Sequence, residues 1–280
     1  MPIQLGCTFV FPRLTLFDRI NVDPQKRSTL KTIGAVGLGY AAFRYIPKIL
    51  PEKIDLEPLK HPAGFRKYAA GKSSFGNLDL FIGLQTNGGK AQREAEEQAD
   101  RRVAKDICNV LFGGVKLGAG QVPIASFSDY YCPLCRIQTK ELAEFAQLKG
   151  GAIAVVWHEL PIFGERSIHA AKAALAAKRQ GAYVEFHNRL MTTPFVASEK
   201  YLSDLSSDLN LNGNQLRADM NSASVLRELE NSAALSRHFA LVGTPAMVIG
   251  RTVVQGRISK KMLQKIVSLE RKEGWAETCG

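Results

Sequence analysis

The stretch VPIASF (122–127) is short and apolar, AIAVVW (152–157) is apolar throughout, and a helical pattern runs between them from Cys135 to Lys149. An uninterrupted apolar strand suits a position buried on both faces of a parallel sheet, and strand–helix–strand in about 35 residues is a βαβ unit. Such a unit commits this part of the chain to an α/β fold. It also places two cysteines, Cys132 and Cys135, where the first strand gives way to the helix.

That position matters because the thiolate, not the thiol, attacks disulfides. The first turn of a helix offers unpaired main-chain N–H groups and the positive end of the helix dipole. Pro133 suits that turn, where its missing N–H costs nothing. Cys135, one turn on, can attack a mixed disulfide formed at Cys132 and release the partner. Other uses of the pair are open at this point. A zinc site needs two further ligands, and the histidines at 61, 158, 169, 187 and 238 show no matching spacing. Covalent haem attachment needs His after the second cysteine, where Arg136 stands. A soft ion such as Cu(I), a dedicated client or a purely structural role fits any such pair.

After the βαβ unit come a helical block, two strands and a last helix. Ser167 is expected to cap a helix ending near Arg179, followed by helices over 183–191, 199–209, 215–221 and 224–241. AMVIG (246–250) and TVVQG (252–256) read as a strand pair around Arg251. Ser259 opens the final helix, with Met262, Ile266 and Leu269 on one face. Just before the strand pair, Gly243-Thr244-Pro245 suits a rigid, cis-capable turn, proline being allowed where the strand needs no N–H.

SFSDYYCPLC taken together with VGTPAMVIGRTVVQG resembles the DsbA-like branch of the thioredoxin superfamily. The separation of the two motifs leaves room for that family's helical insertion, and SIHAAKAALAAKRQGAYVEFHNRLM resembles a segment within it. The resemblance spans about residues 121–272. It implies an α/β thioredoxin fold with a DsbA-like helical insertion, and dithiol–disulfide exchange with protein substrates. Cys132 would be the exposed nucleophile, Cys135 the resolving thiol, and Pro133 and Leu134 the dipeptide that tunes the potential. Thr244 and Pro245 would form the cis-Pro loop that binds substrate backbone. No metal or organic cofactor is implied; the redox group is the Cys132–Cys135 disulfide itself. Leu134 stands where the strongest oxidases carry His, and Ser126 where relatives often carry a buried Glu. Asp129 matches a residue common before this CxxC, and is expected at the strand end near solvent.

Around the motif, Phe127 reads as core, and one of Tyr130 and Tyr131 as a candidate groove residue. His158 and His169 read as satisfied polar residues. Cys108 reads as a small buried side chain and Cys279 as an exposed one. Oxidation is the expected direction of exchange, with reduction or isomerisation the alternative. Implied partners are unfolded or cysteine-containing exported proteins and a membrane redox partner, DsbB-like or DsbD-like.

Ahead of this domain, Lys26, Arg27 and Lys31 precede a Gly/Ala-rich apolar run of about eleven residues, too short to span a bilayer. Basic residues followed by a short apolar run are the plan of an export signal. KRSTLK (26–31) looks like a degenerate twin-arginine signal. No clear cleavage site follows, so an uncleaved anchor facing the periplasm also fits. The residues ahead of the basic stretch exceed what such a signal carries, as if synthesis began further along. The expected organisation is a signal or anchor over 1–46, a linker and charged helical extension over 47–120, the thioredoxin-like domain over 121–273 with its insertion at about 162–241, and a tail over 274–280. Within the extension, residues 90–111 read as one charged helix with Ala95, Ala99, Val103 and Ile107 at four-residue steps, able to pack on the domain or on a second copy. The net charge of +11 is spread without a basic run interleaved with aromatics, which argues against nucleic acid as a partner.

Overall fold

The computed structural model describes residues 54–68, 89–113, 117–118, 120–148 and 152–279. The expected export signal or anchor over 1–46 lies outside the described residues, as does part of the expected linker. Among the described residues no helix is long and apolar enough to cross a membrane.

In chain order the strands are β1 (Leu56–Pro58), β2 (Arg66–Tyr68), β3 (Val122–Ser128), β4 (Ile153–Glu159), β5 (Ala246–Ile249) and β6 (Thr252–Gln255). The helices are α1 (Lys90–Lys105), α2 (Ile107–Phe112), α3 (Pro133–Leu148), α4 (Glu165–Arg179), α5 (Tyr183–Thr192), α6 (Glu199–Asp208), α7 (Gly213–Asp219), α8 (Ala223–His238), α9 (Lys260–Glu273) and α10 (Ala276–Cys279). The strands form one sheet in the order β1-β2-β6-β5-β3-β4. β3 and β4 are parallel with Ser126 opposite Trp157, while β5 runs antiparallel to both β3 and β6. Every residue of β3 is buried, the result of helices covering both faces.

Alternation along the strands sorts the core into two layers. Val122 and Ile124 of β3, Met247 and Ile249 of β5 and Val254 of β6 meet Leu142 and Phe145 of α3 and Met262, Leu263, Ile266 and Val267 of α9. Ala125 and Phe127, with Ala246, Val248 and Val253, meet Val103 of α1, Leu111 of α2 and Leu235 of α8 on the other face. Phe127 is therefore core, as expected. Helices α4 to α8 intervene between β4 and β5.

Three readings of the extension and insertion are corrected. First, the stretch read as linker contains β1 and β2, and β2 lengthens the sheet by pairing in parallel with β6. The Arg66 guanidinium secures it, donating to Glu270 at 2.7 Å and to Thr252 Oγ1 at 2.9 Å, with Glu270 itself 0% exposed. Second, the single helix expected over 90–111 is two. Asp106 leaves the helical conformation and so ends α1, and then caps α2, its carboxylate accepting from the Asn109 amide. The stripe of α1 is used within the chain, Ala99 and Val103 being buried among residues of α2 and α8. Ion pairs Arg102–Glu230 and Arg237–Asp100 flank that contact. Third, Ser167 does not cap α4. The helix starts two residues earlier, and the Ser167 hydroxyl turns inward to Asp129.

Candidate active site

Strand β3 delivers the chain to a turn, Asp129 to Tyr131, whose first two residues are buried, and α3 begins immediately after Cys132. Cys132 is the helix cap. Its carbonyl accepts the amides of Cys135 and Arg136, and its sulfur accepts the Cys135 N–H at 3.3 Å. A cysteine side chain thus takes the place that Ser or Asp usually fills, with Pro133 at the first helical position. The Cys132 thiol in turn donates to the Thr244 carbonyl at 3.4 Å, across 112 positions of sequence. The Thr244–Pro245 bond is cis, and Pro245 is followed at once by β5. The two motifs that the sequence separates so widely therefore meet.

The resemblance implies an exposed nucleophile, whereas both Cys132 and Cys135 are 0% exposed. They share a cluster with Tyr130, Phe186 and Leu190, against which Tyr131, Leu134, Phe163 and Phe195 pack. Pro133 faces solvent and Leu134 is half-buried. Burial pushes the Cys135 thiol well above its ordinary value, and the neighbouring Cys132 adds to this. The Thr244 hydroxyl makes no hydrogen bond of good geometry, but it lies close enough to Cys135 to favour its charged form.

Asp129 is buried, not near solvent. Its carboxylate accepts the Tyr131 and Ile162 amides at 2.7 and 2.6 Å, the Phe163 amide at 3.1 Å and the Ser167 hydroxyl at 2.8 Å. Burial still holds its carboxyl above the usual value, those donors acting the other way. Of the two tyrosines, Tyr130 is buried and Tyr131 is the half-exposed one, its ring tilted against Phe195 and its hydroxyl accepting the Ala197 amide.

Two groups of residues escaped the sequence reading. Tyr130 and Tyr183 both donate to Glu159 Oε1 at 2.6 Å, and His187 Nδ1 lies 2.9 Å from the Tyr130 hydroxyl. The one hint was a Glu closing an otherwise apolar strand. Gln255 ties the approach to the cis-Pro turn, accepting the Val242 amide and donating to the Ala240 carbonyl. His158 is a satisfied core residue, donating through Nε2 to the Leu111 carbonyl at 3.0 Å and stacked on Phe127. Cys108 and Cys279, read as unrelated single residues, form a disulfide that joins α2 to α10. Among the described residues no cluster of three or more His, Cys, Asp or Glu side chains is placed to hold a metal.

Comparison with known proteins adds to this geometry. The model of a DSBA-like thioredoxin domain matches residues 123–268. A thioredoxin-like oxidoreductase from Silicibacter pomeroyi is similar at 32% identity and a TM-score of 0.55, covering 59% of this chain and 97% of its own. The catalytic domain of Proteus mirabilis ScsC is similar at 25% identity and a TM-score of 0.52, covering 62% and 98%. The thiol-disulfide exchange protein alpha-DsbA2 from Wolbachia pipientis shares the fold at 20% identity and a TM-score of 0.53, covering 65% and 99%. No curated protein matches the chain.

Proposed function

The chain belongs to the DSBA-like thioredoxin family of thiol–disulfide oxidoreductases, and from that premise we propose that it oxidises cysteine-containing exported proteins through Cys132 and Cys135. The observation that carries this reading is the Cys132 sulfur itself, held between the Cys135 amide and the Thr244 carbonyl beside a cis proline. An amide donor and the start of a sixteen-residue helix favour negative charge on that sulfur.

In the oxidising cycle the Cys132–Cys135 disulfide is the starting state. A substrate thiolate attacks Cys132 Sγ, the disulfide breaks, and Cys135 leaves as the thiolate and takes up a proton. A second substrate thiolate then attacks the substrate sulfur of the mixed disulfide and expels Cys132. The substrate gains one disulfide and the protein gains two electrons as two thiols, which a membrane redox partner of the DsbB-like kind removes. In the reverse sense Cys132 attacks and Cys135 resolves. Leu134 and Pro133 set the balance, and Thr244 and Pro245 present main chain to the bound segment. Because Cys132 is covered, side chains packed over it must shift before a substrate reaches it.

Two features support oxidation outside the cytoplasm. The Cys108–Cys279 bond fits an oxidising compartment, and residues 26–46 carry the basic and apolar plan of an export signal. An isomerase reading would use α1 as a dimer arm, but its apolar stripe lies against α8. The reduction potential of the full chain, measured by glutathione equilibration, tests the direction. A value of about −120 to −180 mV supports disulfide donation, and one near −270 mV, where thioredoxin lies, overturns it in favour of reduction.

A further inference from the structure

We propose that Asp129 is a positioning residue for exchange, its buried carboxylate locking the cysteine-bearing turn to the turn that leads into α4. The proposal rests on the exchange function given above.

Five bonds converge on this one residue. The Asp129 carbonyl accepts the Cys132 amide at 3.1 Å, so its peptide plane sets where the nucleophile's own residue begins. Oδ1 accepts the Tyr131 amide on the same turn and the Ser167 hydroxyl on α4. Oδ2 accepts the Ile162 and Phe163 amides, which belong to the loop between β4 and α4. Every group that favours its charged form is a main-chain amide or a hydroxyl, with no cation among them. A carboxylate kept at 1% exposure without a cation is costly. With four donors converging on it, a neutral replacement leaves some of them unpaired. Asn offers one oxygen, so two donors would face its amide group. One of the two turns would then come loose.

The consequence reaches the sulfur. Cys132 Sγ sits 3.4 Å from the Thr244 carbonyl and 3.3 Å from the Cys135 amide, distances a loosened turn does not keep. Misplacing a reacting group by about 1 Å can cost on the order of a hundredfold in rate. The main chain of Asp129 also favours the charged form of Cys135, so both thiols depend on how this residue is held.

The test uses the full chain with a reduced, two-cysteine peptide as substrate. Exchange rate per folded molecule and the glutathione equilibrium constant are measured for wild type, Asp129→Asn and Ser167→Ala, alongside thermal unfolding. Asp129→Asn is expected to slow exchange about tenfold and to shift the glutathione constant about tenfold towards the disulfide form. Ser167→Ala, which loosens the carboxylate without removing it, should slow exchange about threefold. A purely structural Asp129 would lower thermal stability yet leave both the rate and the constant at wild-type values, and that result overturns the proposal. If Asp129→Asn does not fold, Ser167→Ala decides: a wild-type rate and constant there overturn it equally. A wild type with no exchange activity overturns the function proposed above, and this proposal with it. An active wild type matched by Asp129→Asn overturns this proposal alone.

Discussion

The chain carries two cysteine pairs, and they differ in nearly every physical respect. Cys132 and Cys135 stand three positions apart, both carry thiols, and both lie beneath the cis-Pro turn. Cys108 and Cys279 are separated by 171 positions, half-buried and bonded. Closing the first pair constrains almost nothing, because a helix already holds its ends together. Closing the second removes a large loop from the unfolded ensemble. The first pair can therefore open and close with the fold intact, and the second acts as a staple between α2 and the terminal helix α10. Chemical identity does not separate the two roles; sequence distance and helix position do.

The sharpest way to break this division is by substitution at each pair. Cys132→Ser should reduce exchange to background while leaving the unfolding curve close to wild type. Cys135→Ser should accumulate mixed disulfides with substrate, read on non-reducing gels. Replacing Cys108 and Cys279 together by Ser should leave exchange per folded molecule within about twofold. If the double variant loses exchange as completely as Cys132→Ser, the staple belongs to the reaction and the division fails.

Stability should show the opposite pattern. Chain-entropy reasoning assigns a loop of this length about 5 kcal/mol, so the Cys108→Ser, Cys279→Ser protein should unfold at a clearly lower guanidinium concentration. Reducing the wild type with a mild thiol should reproduce that drop. A midpoint unchanged by either treatment would show that packing alone holds α2 and α10, through contacts such as Phe112 against Trp275 and Trp275 Nε1 donating to the Gln121 carbonyl.

The two pairs were also unequally legible in the sequence. The CxxC, the flanking apolar strands and Pro133 are local signals, and they placed β3, α3 and β4 within a residue or two. The continuous apolar run of β4 and the cap at Ser259 worked for the same reason. Pairing of Cys108 with Cys279 left no such trace, since neither spacing nor neighbours link them. Asp129 was misplaced because three of its four carboxylate donors lie 33 to 38 positions away. β1 and β2 are three residues each, too short to show an alternation, and only their partners make them strands. Cys132 was expected in the open because the cluster in which it is buried draws on residues far along the chain, Phe186 and Leu190 of α5 among them, which no local signal links to it.

The smallest effect concerns α2, which besides its packing is tied down by the disulfide and by His158 at the Leu111 carbonyl. Burial lowers the His158 pKa to about 4 from the ordinary 6.5. Between those values the unfolded chain takes up a proton that the folded chain refuses, so stability is full above pH 6.5 and falls as pH drops towards 4. Over that window the loss is about 3 kcal/mol, after which it levels off. Asp129 has the opposite tendency, its raised carboxyl favouring the folded state in acid, so the informative quantity is the difference between wild type and His158→Gln. Denaturant midpoints at pH 7, 5.5 and 4 should converge as the pH falls, because the variant has no imidazole to protonate. In the double cysteine variant the same acid loss should appear on top of a lower baseline, since a covalent staple and a neutral imidazole hold α2 by independent means. Parallel pH profiles for wild type and His158→Gln would mean that α2 is held by the staple and its packing alone.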